Sequence, residues 1–454
     1  MVNTSFFSEL LQSIADRSRA LILRERRERS RERSAGLIEL CEALLTGRGE
    51  ASGVALADEI LADYAELTIG PRIAFFEALA TTFGHDPARI DEAIAAWRQS
   101  PSAKTAAGLN RAAEPRRLEL LRRLNLAPGG TAALVRMREQ LLDAVDHRGD
   151  LSVVDSDFIH LFSSWFNRGF LVLRRIDWST PALILEKIIR YEAVHEIRDW
   201  ADLRRRIDLP DRRCYAFFHP ALVDEPLIFV EVALTREIPA AISPVLSDKR
   251  EVVEPTRATT ATFYSITNCQ RGLAGVSFGS FLIKQVVEEV SREMPRISAF
   301  VTLSPAPDFA QWLKRERANE GSLAIDEEDR AALAALDASA WWRAPDVIET
   351  IRAPLQRAAA WYFIRARNSR GLPVDSVARF HLGNGARLER LDWPADTSER
   401  ALQQSYGLMV NYLYDLDYIE QNHEAYAQQH AVVAAGAVSR LVRFPARDVV
   451  PVSG

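Results

Sequence analysis

The spacing of apolar residues changes near position 160, and that change restricts the chain to architectures with two kinds of core. Upstream, apolar residues recur three and four apart, as in Leu37-Ile38-Leu40-Cys41-Leu44-Leu45 and Ile73-Phe75-Phe76-Leu79. This is the period of amphipathic helices. Breaks at Gly47-Arg48-Gly49, Gly70-Pro71, Asp86-Pro87, Glu114-Pro115 and Pro128-Gly129-Gly130 divide the segment into roughly seven or eight helices of ordinary length. An all-helical domain over residues 1–158 is expected. The run from Arg24 to Arg33 interleaves acidic side chains at helical spacing, such as Glu25 with Arg29, which fits a solvated helix face better than a polyanion contact.

Downstream, residues 214–219 and 227–234 are dense in aromatic and β-branched side chains, and Asp224-Glu225-Pro226 between them predicts a hairpin. A third strand-like run, 261–267, enters a polar loop containing glycines. Residues 280–293 return to helical spacing and 297–303 read as a further strand, so 261–303 forms a strand, loop, helix and strand. Helices are expected around 307–318, 327–336, 355–367 and 398–418, with 373–393 between the last two. The expected class is α+β, with a second domain of α/β texture over 159–454.

Composition removes several functional classes. A formal charge of −5 on 454 residues gives no reason to expect a nucleic-acid partner, and 48% hydrophobic with 26% charged residues is an ordinary globular balance. Cys41, Cys214 and Cys269 are far apart and form no C-x-x-C pair, which speaks against a disulfide framework or a zinc knuckle and suits a reducing cytoplasm. No apolar run approaches the roughly 18 residues of a membrane span, and the N-terminal stretch carries Glu9 and Asp16 where a signal peptide would be apolar. The histidines show no metal-binding spacing, so no metal is expected.

Three features carry possible chemistry. Gly275-Val276-Ser277-Phe278-Gly279 satisfies the G-x-S-x-G of a nucleophile elbow, but the residues before it, Thr267-Asn268-Cys269-Gln270-Arg271-Gly272-Leu273-Ala274, are loop-like where the elbow needs a strand. A loop that presents backbone N–H groups to an anion at a helix N-terminus suits the same residues, with Arg271 or Lys284 adding charge. Ser304 ends a strand and opens Ser304-Pro305-Ala306-Pro307-Asp308, as either a turn residue or a working residue. His381 lies in a strand-like stretch that meets a Gly-Asn-Gly turn, where it is either structural or able to move a proton near neutral pH.

Taken together, several blocks resemble the malonyl-CoA decarboxylase family: SSWFNRGFLVLRRIDW (163–178), EAVHEIRDW (192–200), RRCYAFFHP (212–220), EPLIFVEVALT (225–235), TFYSITNCQRGLAGVSFGSFLIKQVV (262–287), LSPAPDFAQWL (303–313) and FHLGNGA (380–386). The resemblance implies a helical N-terminal domain that serves oligomerisation and an acetyltransferase-like (GNAT-type) catalytic domain. It implies a reaction from malonyl-CoA to acetyl-CoA and carbon dioxide without metal or organic cofactor, in fatty acid metabolism or malonate catabolism. It places an acyl-CoA loop on Ala274, Gly275, Val276, Ser277, Phe278, Gly279 and Ser280, the catalytic serine and histidine on Ser304 and His381, and a further contact with substrate on Tyr414. Ala274 stands where the acetyltransferase phosphate loop usually has Gln or Arg, and Ser277 where it has Gly. A homo-oligomer, a tetramer, is implied as well. The alternatives are a thioesterase or esterase that uses Ser277, a non-catalytic acyl-CoA-binding protein, and, at the level of fold, an acetyltransferase.

Overall fold

The computed structural model describes residues 35–46, 50–145, 148–276 and 282–442 and divides into two compact units. One unit contains the chain up to Asn167 together with Gln270–Ser277, and the other contains Arg168–Cys269 and the chain from Phe278 onward. The run from Arg24 to Arg33 lies outside the described residues.

The first unit is helical, as the three-and-four spacing predicts. Residues 35–45 are followed by helices Glu50–Ala65, Ile69–Ala80, Pro87–Gln99, Ala103–Ala112, Arg116–Leu124, Gly130–Val145 and Ser152–Trp165. Local chemistry starts them where the sequence breaks fall. Asp86 accepts from the N–H groups of Ala88 and Arg89 ahead of a helix that begins with Pro87, and Ser102 with Thr105 forms a reciprocal capping box. Phe75, Phe76, Leu120, Leu121, Leu141, Phe158 and Phe162 fill the core. The helix Ser152–Trp165 runs through position 158, and the compact unit closes at Asn167.

The described part of the returning segment, Gln270–Val276, is fitted closely to this unit. A Cβ on Gly272 would come 2.0 Å from the Val135 carbonyl oxygen, so only glycine fits there. Arg138, 1% exposed, donates to the Gly272 carbonyl at 2.8 Å while pairing with Asp155 at 2.8 Å, so its buried charge is compensated.

The second unit is built on a mixed sheet with eight strands among the described residues: β1 Val172–Ile176, β2 Arg212–Phe218, β3 Pro226–Thr235, β4 Thr260–Asn268, β5 Ala299–Thr302, β6 Ser304–Pro305, β7 Arg387–Asp392 and β8 Met409–Leu413. Their order is β1-β2-β3-β4-β5-β8-β6, with β7 also paired to β8. The expected hairpin is β2–β3, turning at Asp224, whose φ is 54°. The pair β4–β5 is parallel, which requires a crossover, and the helix Leu282–Glu293 supplies it. Helices Ala182–Tyr191 and Trp200–Ile207 pack Ile184, Leu185, Ile188, Leu203 and Ile207 against Cys214, Ala216, Phe218 and Phe229 of β2 and β3. The α+β class expected from the sequence is the class observed.

Two local expectations are corrected. The helix expected over 398–418 is a short helix, Glu399–Ser405, followed by strand β8. Met409, Val410, Asn411 and Tyr412 are all buried, so this inner strand lacks the polar alternation that marks a strand in sequence. The stretch around His381 is not strand-like: it is the helix Ser376–Gly383.

Candidate active site

Parallel pairing of β4 with β5 runs from Thr260↔Ala299 to Phe263↔Thr302, and β4 then continues to Asn268 without a β5 partner. The strands part at this point. Beside the parting lies a cavity of about 280 Å³ whose apolar wall includes Phe263, Ile266, Val377 and Phe380, with Ser304 and His381 among its polar lining. Few polar groups set in an apolar cavity is the usual form of a small-molecule site.

Ser304 reaches this cavity because β6 pairs with β8, Ser304 opposite Val410 and Pro305 opposite Met409. His381 reaches it from a helix with both ends fixed. At the N-terminus the fully buried Asp375 accepts from the Ala378 N–H at 2.8 Å and from the Tyr362 hydroxyl at 3.2 Å. Burial pushes its carboxyl up to about 6. At the C-terminus Gly385, with φ 81°, lets the Ala386 N–H donate back to the His381 carbonyl at 3.1 Å.

Although 77 positions apart in the chain, Ser304 Oγ and His381 Nε2 lie 3.0 Å from each other. On the other side of the ring, His381 Nδ1 is 2.8 Å from the Tyr414 hydroxyl. Either nitrogen can donate or accept, according to which one carries the proton. The ring stacks on Tyr412 with centroids 4.6 Å apart, and burial alone pushes its pKa down to about 3, so the imidazole is neutral at physiological pH. Ser304 Oγ also contacts Thr302 Oγ1 at 2.9 Å, and Thr302 Oγ1 accepts from the Tyr412 N–H at 3.1 Å. A neutral imidazole, two hydroxyls and a phenol thus form one line of hydrogen bonds that can hold or pass a proton.

Of the residues expected at the site, Ser304, His381 and Tyr414 come together. Tyr414 is 1% exposed and touches the far side of the imidazole rather than the cavity. Ala274, Gly275 and Val276 follow a short turn, Arg271–Leu273, in the helical unit, with Gly275 at φ 76°, while Ser277, Phe278, Gly279 and Ser280 lie outside the described residues. Arg271 pairs with Asp143 at 2.6 Å and Lys284 with Glu420 at 2.7 Å. Thr302, Tyr412 and Asp375 are the residues that sequence reasoning missed. The first two were visible only as partners at spacing two, Thr302 with Ser304 and Tyr412 with Tyr414, which is the same-face period of a strand. Among the described residues no three His, Cys, Asp or Glu side chains could share a metal ion, and no helix is long and apolar enough to cross a membrane.

Residues 169–450 match the family profile described as the malonyl-CoA decarboxylase C-terminal domain, and residues 83–166 match the malonyl-CoA decarboxylase N-terminal domain. The chain is 36% identical over 420 residues to the mitochondrial malonyl-CoA decarboxylase of Anser anser anser, covering 85% of this chain and 82% of that one. The crystal structure of malonyl-CoA decarboxylase from Rhodopseudomonas palustris is similar to it with a TM-score of 0.87 and 58% identity, covering 90% of this chain and 99% of that one. The corresponding enzyme from Agrobacterium vitis gives a TM-score of 0.86 and 54% identity, with coverage of 90% and 100%.

Proposed function

This chain belongs to the malonyl-CoA decarboxylase family, and from that premise we propose that His381 supplies, and Ser304 relays, the proton taken up when a malonyl thioester loses carbon dioxide. The activity is that of a carboxy-lyase acting on malonyl-CoA. The bond from the α-carbon to the carboxylate breaks, its electron pair moves into the thioester as an enolate, and one proton adds at the α-carbon to give acetyl-CoA. That proton is replaced from solvent. The thioester carbonyl is itself the electron sink, so the scheme calls on no metal or organic cofactor.

The observation that carries this reading is the 3.0 Å contact between Ser304 Oγ and His381 Nε2 at the wall of an apolar cavity. Low polarity favours loss of a charged carboxylate as neutral carbon dioxide, and a neutral N–H is a suitable partner for an enolate. Tyr414 serves the site by holding Nδ1. The loop from Ala274 to Ser280 holds the CoA portion through backbone N–H groups ahead of the helix Leu282–Glu293.

The helical domain, residues 1–158, mediates a homo-oligomer, a tetramer, and Ile69 and Leu126, which are 74% and 63% exposed, are apolar surface that such an interface would cover. A monomer by light scattering would remove this part. Free, buried Cys41, Cys214 and Cys269 suit a reducing cytoplasm.

Incubation of the purified protein with malonyl-CoA, followed by mass spectrometry, should show acetyl-CoA. Ser304→Ala and His381→Asn should each lower kcat by roughly 100-fold or more, the usual worth of a positioned proton-transfer group. Full turnover by both variants would discard the assignment. A thioesterase that used Ser277 is not favoured; it would release free CoA and lose activity in Ser277→Ala.

A further inference from the structure

We infer that Thr302 is a positioning residue that, through Ser304, holds His381 in the tautomer whose proton sits on Nε2, an inference that rests on the roles proposed above for Ser304 and His381. Thr302 ends β5 and Ser304 begins β6, so their hydroxyls point the same way, two residues apart. The line of hydrogen bonds runs Tyr414 Oη, His381 Nδ1, His381 Nε2, Ser304 Oγ, Thr302 Oγ1.

Both ends of this line have a fixed direction. Tyr414 is 1% exposed and keeps its proton, because burial pushes its phenol well above the ordinary range. Among the described residues its hydroxyl has Nδ1 as hydrogen-bond partner, so the phenol donates there and Nδ1 is the bare nitrogen. The neutral ring then carries its proton on Nε2, which donates to Ser304 Oγ. At the other end Thr302 Oγ1 accepts the Tyr412 backbone N–H at 3.1 Å, a donor that cannot reverse, and the Thr302 hydroxyl itself faces the Val410 carbonyl at 3.5 Å. The Ser304 hydroxyl is left to donate to Thr302 Oγ1, at 2.9 Å.

The opposite direction would have Ser304 donate to Nε2 and Nδ1–H donate to Tyr414, leaving the buried phenolic proton without an acceptor. An unsatisfied buried donor is disfavoured roughly 5- to 150-fold in population, so the first direction dominates. Thr302 thereby keeps the Ser304 hydroxyl from turning toward Nε2, so that when Ser304 passes its own proton on, Nε2–H stands ready to replace it.

Thr302→Val keeps the shape and removes the acceptor. Long-range proton–nitrogen spectra of isotope-labelled histidine, with His381→Asn identifying the signal, should show Nε2–H alone in the unaltered protein. In Thr302→Val they should show a mixture with Nδ1–H, with kcat lowered roughly 10- to 100-fold and KM changed by no more than about twofold. Thr302→Ser should restore both. Thr302→Ala removes the same acceptor and should give the same mixture if the valine variant folds poorly, whereas Tyr414→Phe leaves an Nδ1–H without an acceptor and should keep the ring Nε2–H. An Nδ1–H ring in the unaltered protein, or Thr302→Val with a pure Nε2–H ring and full kcat, overturns the inference. If Ser304→Ala and His381→Asn are inactive while Thr302→Val is fully active, only the Thr302 inference fails. If those two variants turn over fully, the roles fail and the inference falls with them.

Discussion

His381 is the residue on which chemistry and stability meet. Its pKa is about 3 in the folded chain against an ordinary 6.5, because the buried site disfavours the charged ring. Above pH 6.5 both folded and unfolded chains hold it neutral; below 6.5 the unfolded chain takes up a proton that the folded chain refuses. Stability from this group is therefore complete above 6.5 and is lost as pH falls toward 3, at up to about 1.4 kcal/mol per pH unit. Between pH 7 and 5 the unaltered protein should lose about 2 kcal/mol more than His381→Asn in urea denaturation. Equal losses would contradict a neutral buried imidazole. His195, pushed down to about 4, contributes to both proteins and cancels. Ser304 and His381 stood out in sequence only through the blocks that surround them. A serine after a strand and a lone histidine are each ambiguous, and the contact that makes them a pair joins segments 77 positions apart.

At the scale of elements, legibility followed periodicity. The hairpin β2–β3 and the crossover from β4 to β5 were readable because β-branched runs and an amphipathic helix alternate there within a few residues of each boundary. β8 was not readable, because a strand with Val410, Asn411 and Tyr412 all buried has no polar face to betray it. The helix carrying His381 was misread because Gly383-Asn384-Gly385 looks like a hairpin turn, whereas here it ends a helix that Asp375 began. Gly385 supports that ending twice over: its φ is 81°, and a Cβ there would lie 2.1 Å from the Ile419 carbonyl oxygen. Gly385→Ala should destabilise the protein by at least about 2 kcal/mol and, because Ala386 anchors the His381 carbonyl, should lower kcat as well. Thermal melting and kcat measured together check this; an unchanged kcat would mean that the helix end does not position the imidazole.

For the molecule as a whole, the change of texture near residue 160 forecast a helical unit and a sheet unit. What it could not forecast is that Gln270–Val276, more than a hundred residues later, is packed with the helices. The close approach of Gly272 to Val135, and the bond from Arg138 to its carbonyl, are non-local and leave no periodic trace. They bear on inheritance. A single recombination at residue 168 between this gene and one as distant as the 36% identical avian relative would set one parent's helices against the other parent's loop. Such a chimera should melt at a lower temperature than either parent, and one that also carries residues 270–277 from the helical parent should recover. If both chimeras melt alike, the loop is interchangeable; if they differ, these helices and this loop must pass from one generation to the next as a single allele.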